Sequence, residues 1–202
     1  MRSFAIIPAA GRSRRMGQPK LLMPWGESTV IDRVLEAWQA SAVEAVVAVV
    51  HPDDRELMGR CLAGGAVVVQ PSEPPAEMKD SILWGLKRLE DYGLEDGDAW
   101  LAAPADMPAL SSSLIDRVIE AYANDRRDKP HIWAPRHGEK RGHPVLFPWS
   151  LAAEVAQLGP DEGLNVLVDR YESRPVDVED RAIVEDFDTP QEYDRLRSQL
   201  EP

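Results

Sequence analysis

Residues 5–20 of this chain read AIIPAAGRSRRMGQPK. The stretch begins as an apolar run, which indicates a buried strand, and continues as a loop that contains Gly11 and Gly17. Four cationic side chains belong to this loop: Arg12, Arg14, Arg15 and Lys20. No acidic residue occurs in residues 5–26. Because glycines let the backbone approach a ligand and cations offset phosphate charge, the stretch predicts a polyphosphate site.

The loop differs from two common phosphate-binding motifs. It lacks the Gly-Lys-Ser/Thr end of a Walker A loop and the G-x-G-x-x-G fingerprint of dinucleotide-binding proteins. It resembles the signature of nucleotidyltransferases with a Rossmann-like core, in which Ala-Ala-Gly precedes an Arg-Met pair and a lysine. The continuation RMGQPKLL and PWG, residues 15–22 and 24–26, is most similar to the MobA-like branch, which includes the molybdenum-cofactor cytidylyltransferases. The resemblance keeps the same motif order from Ile6 to Leu196.

The composition limits the classes of partner. The chain has 202 residues, 44% of them hydrophobic, which suits one domain over residues 1–202 with a normal core. Lys and Arg number 23 against 35 Asp and Glu, a net charge of −12. The resulting field repels nucleic acids and anionic membranes, so neither is an expected partner. A small anionic ligand needs a local basic pocket, which residues 12–20 can supply.

Two further features concern the cellular compartment. Cys61 is the only cysteine, which excludes an intrachain disulfide and a cysteine-rich metal site. No apolar segment follows the amino-terminal Met-Arg as in a signal peptide, and no apolar run is long enough to cross a bilayer. We therefore expect a cytoplasmic location.

The spacing of apolar residues predicts strands that alternate with helices. The predicted strands are the apolar run that begins at Ala5 and residues 45–50, 67–69, 99–103, 131–135 and 143–147, with one or two more in 174–188. The predicted helices start at a Thr29–Asp32 capping box, at Asp53-Asp54, near Ile82, at a Ser113–Asp116 capping box, near Leu151, near Leu164 and at Gln191. This alternation predicts an α/β fold with a doubly wound, mostly parallel sheet, open to ligand at its carboxyl edge. The resemblance implies the Rossmann-like, three-layer αβα form found in nucleotide-diphospho-sugar transferases.

Two aspartates are candidates for holding Mg²⁺. Asp106 follows the predicted strand at 99–103, and Asp188 precedes Thr189-Pro190. Mg²⁺ prefers one or two carboxylates together with phosphate oxygens. Both aspartates match segments of the resembled family that hold the metal, Asp-x-Pro and Asp-Thr-Pro. The alternatives are a turn aspartate before proline at position 106 and a helix N-cap at position 188.

The resemblance also implies roles for further residues. Arg15 and Lys20 would contact the triphosphate and, with Asp106, form the catalytic set. The nucleotide-binding set would comprise Ala9, Ala10, Gly11, Arg12, Ser13, Arg15, Lys20 and Ser81. Ala9-Ala10-Gly11 is more similar to the cytidylyl-transferring relatives than to the guanylyl-transferring ones, which favours CTP. Glu77 replaces a family glycine near the base, where its carboxylate could bind an exocyclic amine or block the pocket.

The acceptor would lie beside the segment 142–147. The resemblance implies contacts with Gly142, His143 and Pro144, although a plain strand-edge histidine is an equal alternative for His143. Asn165 replaces an arginine in an Asp-x-Gly-x-Arg segment of the family, which removes a planar bidentate donor.

Three functions follow from these interpretations. The first is a Mg²⁺-dependent transfer of a nucleoside monophosphate from an NTP, with CTP favoured, to a phosphorylated acceptor of the molybdopterin type. The second keeps the reaction but takes a sugar phosphate or another small phosphate. The third is a nucleotide- or cofactor-binding module without turnover that serves a molybdoenzyme partner.

Overall fold

The computed structural model describes residues 1–125, 131–171 and 173–200. Its strands are β1 (Ser3–Ala9), β2 (Pro24–Trp25), β3 (Ser28–Thr29), β4 (Ala45–Val50), β5 (Val67–Val69), β6 (Ala99–Ala102), β7 (Trp133–His137), β8 (Lys140–Arg141), β9 (Val145–Pro148) and β10 (Arg174–Asp177). Its α-helices are α1 (Val30–Gln39), α2 (Arg55–Ala63), α3 (Met78–Leu89), α4 (Ser112–Ala123), α5 (Ala152–Val155), α6 (Asn165–Arg170) and α7 (Pro190–Leu200).

The central sheet is mostly parallel. Its strand order is β10-β7-β9-β6-β1-β4-β5, with β8 paired to β7. Strand β1 runs parallel to β4 and β6, and β9 runs antiparallel to β6 and β7. The carboxyl ends of β1 and β6 therefore meet the beginning of β9 at one edge, where Ala102 pairs with Val145.

The strands form where the sequence is continuously apolar because both faces of the sheet are covered. Along β1, Ala5 and Ile7 face one core, and Phe4 and Ile6 face the other. Helices α1, α2, α4 and α7 contribute to the first core, and α3, α5 and α6 to the second. The α/β, three-layer prediction is confirmed.

Local signals fixed several boundaries correctly. The Thr29–Asp32 capping box precedes α1, and Asp54 caps α2 through the Leu57 N–H at 3.0 Å. The predicted box at Ser113 is wrong by two residues. Ser111 is the extended residue whose hydroxyl accepts the Leu114 N–H at 3.3 Å, so it caps α4.

The segment before β9 also differs from the prediction. The strand begins at Val145 rather than at His143. The His143 N–H donates instead to the Ile183 carbonyl oxygen at 2.8 Å, and Pro144 has no N–H for a ladder bond. Among the described residues, no helix has the length and apolar character needed to cross a membrane.

Candidate active site

The loop after β1 turns back on itself and delivers Lys20 to the sheet edge. Ser13 has a φ of 48° and Gly17 a φ of 68°, which bend the loop twice through the left-handed region. The Lys20 N–H donates to the Ser13 hydroxyl at 3.2 Å, so the loop is closed by its own side chain. A 3-10 turn, Lys20–Leu22, follows, and Leu21 is buried.

Lys20 joins two carboxylates that are distant in sequence. Its Nζ donates to Oδ1 of Asp188 at 2.9 Å, to the Phe187 carbonyl oxygen at 3.1 Å and to Oδ2 of Asp106. Asp188 lies 168 residues and Asp106 86 residues from Lys20 along the chain. The side chains of Lys20 and Asp106 are 16% and 9% exposed, and that of Asp188 is 36% exposed. The site is therefore a partly buried cluster rather than a surface ion pair.

The three charges respond differently to this environment. Burial raises the pKa of Asp106, and the nearby Lys20 only partly opposes the effect. Burial also acts to raise the pKa of Asp188, but its hydrogen bond to Lys20 and the charges of Lys20 and Arg15 outweigh it, so this pKa is lowered. Burial acts to lower the pKa of Lys20, yet the two aspartates raise it overall. Lys20 therefore stays charged, and Asp106 is the member of the cluster whose charge is least compensated.

The segment around Asp188 is held by the start of α7. Glu192 Oε2 accepts the N–H groups of Asp188 and Thr189 at 2.9 and 3.0 Å, and the Thr189 hydroxyl accepts the Glu192 N–H at 3.3 Å. Thr189 therefore makes the side-chain cap that sequence alone could assign to Asp188. The Asp188 carboxylate faces Lys20 and Arg15 instead.

The loop arginines point in different directions. Arg15 Nη2 lies 2.7 Å from Oδ2 of Asp188 and so belongs to the cluster. Arg12 turns to the opposite side of the loop, where its Nε lies 3.1 Å from Nε2 of His51 and its Nη2 lies 3.3 Å from Oδ2 of Asp53. Arg14 is exposed. Arg15 and Lys20 therefore pair with the same carboxylate, that of Asp188, and Arg12 lies apart from it.

A cavity of about 220 Å³ lies beside Lys20, and we call it the loop cavity. It is lined by six of the residues assigned to nucleotide binding, by Asp106 and by Glu77; the six are Ala9, Ala10, Gly11, Ser13, Lys20 and Ser81. Arg12 and Arg15 do not line it. Most of the residues assigned to the nucleotide thus share one cavity.

A second cavity, of about 360 Å³, lies beyond the β7–β8 hairpin, and we call it the hairpin cavity. Gly142, His143 and Asn165 line it, whereas Pro144 is buried outside the lining. A Cβ on Gly142 would lie 2.2 Å from the Ile183 carbonyl oxygen, so only glycine permits this contact. Burial lowers the pKa of His143, and its Nδ1 has no hydrogen-bond partner among the residues that the structure describes.

The two cavities are neighbours. Pro8, Met78 and Pro104 line both of them. A ligand in the loop cavity and a ligand in the hairpin cavity would therefore be separated by one thin wall at the carboxyl edge of β1 and β6.

Sequence reasoning did not identify two cations of the hairpin cavity, Lys79 and Arg141. Lys79 Nζ donates to the carbonyl oxygens of Gly159 and Pro160, which ties α3 to the segment before α6. A lysine at a helix start carries no distinguishing pattern. Arg141 directly precedes the Gly142-His143-Pro144 segment, and that adjacency was the available signal.

The described residues offer two carboxylates, rather than a complete set of ligands, for a metal ion. No group of three or more His, Cys, Asp and Glu side chains among them is arranged to hold a metal ion. Asp106 and Asp188 do, however, face one cation, the Lys20 ammonium. Two hard oxygen donors suit Mg²⁺, which completes its coordination with phosphate oxygens and water.

The order of these features along the chain matches a known family. A model described as the MobA-like NTP transferase domain matches residues 5–176. The chain belongs to the MobA-like NTP transferase family. The match includes the loop after β1, Asp106 and the hairpin cavity segment 142–147, and it ends before Asp188.

Curated relatives of this family member carry different names. A bifunctional enzyme IspD/IspF of Rhodospirillum rubrum is 36% identical over 82% of this chain and 38% of its own length. A 2-C-methyl-D-erythritol 4-phosphate cytidylyltransferase of Pseudomonas entomophila is 32% identical over 60% of this chain and 53% of its own. A probable molybdenum cofactor guanylyltransferase of Bacillus mycoides is 31% identical over 59% and 56%. The chain thus spans between 38% and 56% of the length of these relatives.

Solved structures support the fold of this family member. A nucleotidyl transferase from Methanothermobacter thermautotrophicus superposes with a TM-score of 0.81 at 23% identity, covering 98% of this chain and 97% of that one. At this identity the likeness concerns the fold alone.

Proposed function

We propose that this chain transfers a nucleoside monophosphate from an NTP, with CTP favoured, to a phosphorylated small-molecule acceptor. An oxygen of the acceptor's phosphate forms a bond to the α-phosphorus, and the bond from that phosphorus to the pyrophosphate oxygen breaks. The observation that carries the proposal is the convergence of Lys20, Asp106 and Asp188 beside the loop cavity. The family and the names of the curated relatives support the same reaction class.

The residues suit this reaction because it needs charge neutralisation and alignment more than covalent help from the protein. Lys20 and Arg15 supply fixed positive charge for the triphosphate and the leaving pyrophosphate. The loop cavity would hold the nucleotide and the hairpin cavity the acceptor. Their shared wall keeps the two substrates adjacent.

Asp106 and Asp188 would hold Mg²⁺ in this proposal. Bound there, the metal supplies charge neutralisation and orientation for the triphosphate. In this structure the Lys20 ammonium pairs with both carboxylates, so in the proposal Lys20 and the metal would share them.

The acceptor has two candidate classes. A molybdopterin-type cofactor is supported by the family and by the guanylyltransferase relative, and it would make a molybdoenzyme the downstream partner. A sugar phosphate is supported by the cytidylyltransferase relative and by Asn165, which lines the hairpin cavity without the bidentate donor of an arginine. A binding module without turnover is the third possibility.

A coupled pyrophosphate assay tests the proposal with all four NTPs, Mg²⁺ and a panel of acceptors that contains molybdopterin and 2-C-methyl-D-erythritol 4-phosphate. Asp106→Asn keeps the shape of the side chain and removes its charge. It should lower the rate by roughly 10²–10³, the scale of one strong transition-state contact. Asp91→Asn, an exposed aspartate paired with Arg88, is the matched control and should leave the rate unchanged.

Two results would count against the proposal. Equal pyrophosphate release by the Asp106→Asn variant and the wild type would remove the aspartate from the reaction. Tight nucleotide binding without pyrophosphate from any acceptor would favour the binding module.

A further inference from the structure

Glu77 is placed at the wall of the loop cavity by the start of α3. It is the residue before the helix, with extended backbone at φ −134° and ψ 169°. Its N–H donates to Oδ2 of Asp80 at 3.0 Å, as does the N–H of Ala76. The Glu77 side chain in turn accepts from the backbone of Asp80. These reciprocal contacts fix the backbone of Glu77 at the start of α3. The residue itself remains exposed.

The wall that contains Glu77 is not the wall that contains Lys20. Ile82, one turn into α3, packs in the core on one face of the sheet, whereas Leu21, next to Lys20, packs in the core on the other. The two walls therefore approach the loop cavity from opposite faces. If the triphosphate lies against Lys20, the base of the nucleotide is directed to the wall formed by α3.

That wall offers two polar side chains to a base. Ser81 is 3% exposed, and its hydroxyl makes no hydrogen bond within the described part of the chain. Glu77 has one carboxylate but two oxygens, so its role in the cap leaves acceptor capacity for a ligand. The neighbouring Pro75 and Ala76 supply apolar surface for the ring.

We propose that Glu77 determines base specificity and selects a base with an exposed exocyclic amine, cytosine, over uracil. This rests on the proposed function, because it requires a nucleotide in the loop cavity. The cytosine amine directs one N–H away from the ring nitrogen, where a carboxylate accepts it without repulsion. Uracil presents a carbonyl there instead, and its ring N–H is flanked by two carbonyls that repel a carboxylate.

The charge on the carboxylate that accepts the hydrogen bond determines how strongly the two bases are discriminated. A hydrogen bond to an ionised acceptor is roughly twice as strong as a neutral one. The wrong base leaves a carbonyl oxygen facing a carboxylate, with neither satisfied. A glutamine at the same position can accept from an amine or donate to a carbonyl, so it should not discriminate.

Calorimetry of CTP and UTP binding in the presence of Mg²⁺ tests the assignment on the full chain without an acceptor. The wild type should bind CTP at least about tenfold more tightly than UTP. Glu77→Gln should bring the two dissociation constants within about threefold of each other. Glu73→Gln is the matched control: it removes the same charge from the same segment, but Glu73 does not line the loop cavity, so the CTP/UTP ratio should stay at the wild-type value.

The outcomes separate the two proposals. A wild type that binds CTP and UTP equally, that prefers UTP, or that keeps its preference in Glu77→Gln overturns the role of Glu77 while nucleotide transfer stands. A wild type that binds neither CTP nor UTP overturns the role of Glu77, and one that binds none of the four NTPs overturns both proposals. A thermal unfolding scan of Glu77→Gln checks that the cap of α3 is kept.

Discussion

The loop cavity and the hairpin cavity are built on different physical principles. The loop cavity has charged groups in its wall, Lys20 and Asp106. Ion pairs join Lys20 to Asp106 and to Asp188, which are distant from it in the sequence. The hairpin cavity has more apolar surface, from Val145, Phe147 and Leu164, and its cations Lys79 and Arg141 face no buried carboxylate among the described residues of its lining. We infer that changes in the first affect the rate of a reaction, whereas changes in the second affect folding or the choice of acceptor.

A pair of lysine variants, one from each cavity, should show the largest difference in kinetics. Lys20→Met removes the charge between Asp106 and Asp188, so kcat should fall by roughly 10²–10³. Lys79→Met removes a lysine from the hairpin cavity and should raise the acceptor KM by about tenfold with kcat nearly kept. Steady-state kinetics in the pyrophosphate assay measures both effects. An equal loss of kcat in the two variants would contradict the inference that the loop cavity affects the rate and the hairpin cavity the binding of acceptor.

A pair of glycine variants contrasts the two cavities in stability. A methyl group at Gly142 would meet the Ile183 carbonyl oxygen, so Gly142→Ala should reduce the free energy of unfolding by about 2–4 kcal/mol. A methyl group at Gly11 would meet no atom within 4 Å, and Gly11→Ala should change it by less than about 0.5 kcal/mol. Urea unfolding measures the free energy of unfolding of both variants. Similar values for both variants would contradict the close contact at Gly142.

The third prediction concerns pH and has the smallest effect. Burial lowers the pKa of His143, so the unfolded chain binds a proton at this residue at a higher pH than the folded protein does. The free energy of unfolding should therefore fall as the pH drops below about 6.5, by at most about 1.4 kcal/mol per pH unit. His143→Gln should remove this slope. Urea unfolding at pH 7.5, 6.5 and 5.5 measures it, and an unchanged pH dependence in the variant would place the cause elsewhere.

Much of the fold was predictable because its signals are local. The apolar runs at 45–50 and 67–69 coincide with β4 and β5, since a strand covered on both faces leaves a continuous apolar run. The Thr29–Asp32 box marked the start of α1 correctly. Three consecutive serines at 111–113 offered the same chemistry at each position, so the cap of α4 could not be chosen from sequence.

The site was predictable only in part. Residue types and family resemblance selected Lys20, Asp106 and Asp188, and the structure brings these three together. Their roles with metal and nucleotide remain predictions. The direction of Arg12 toward His51 depends on how the loop folds back, and the cap by Thr189 depends on the local backbone. Neither the direction of Arg12 nor the cap by Thr189 can be predicted from the spacing of residues in the sequence.

The reversed direction of β9 has a consequence for how this fold can change. Because β9 starts at the edge where β1 and β6 end, the chain enters the hairpin cavity directly from the β7–β8 hairpin. Residues added or removed at the tip of that hairpin, near Gly138, would lie on the chain segment that leads into the lining of the hairpin cavity and outside the lining of the loop cavity. In the proposed reaction, such changes would act on the acceptor and not on the nucleotide.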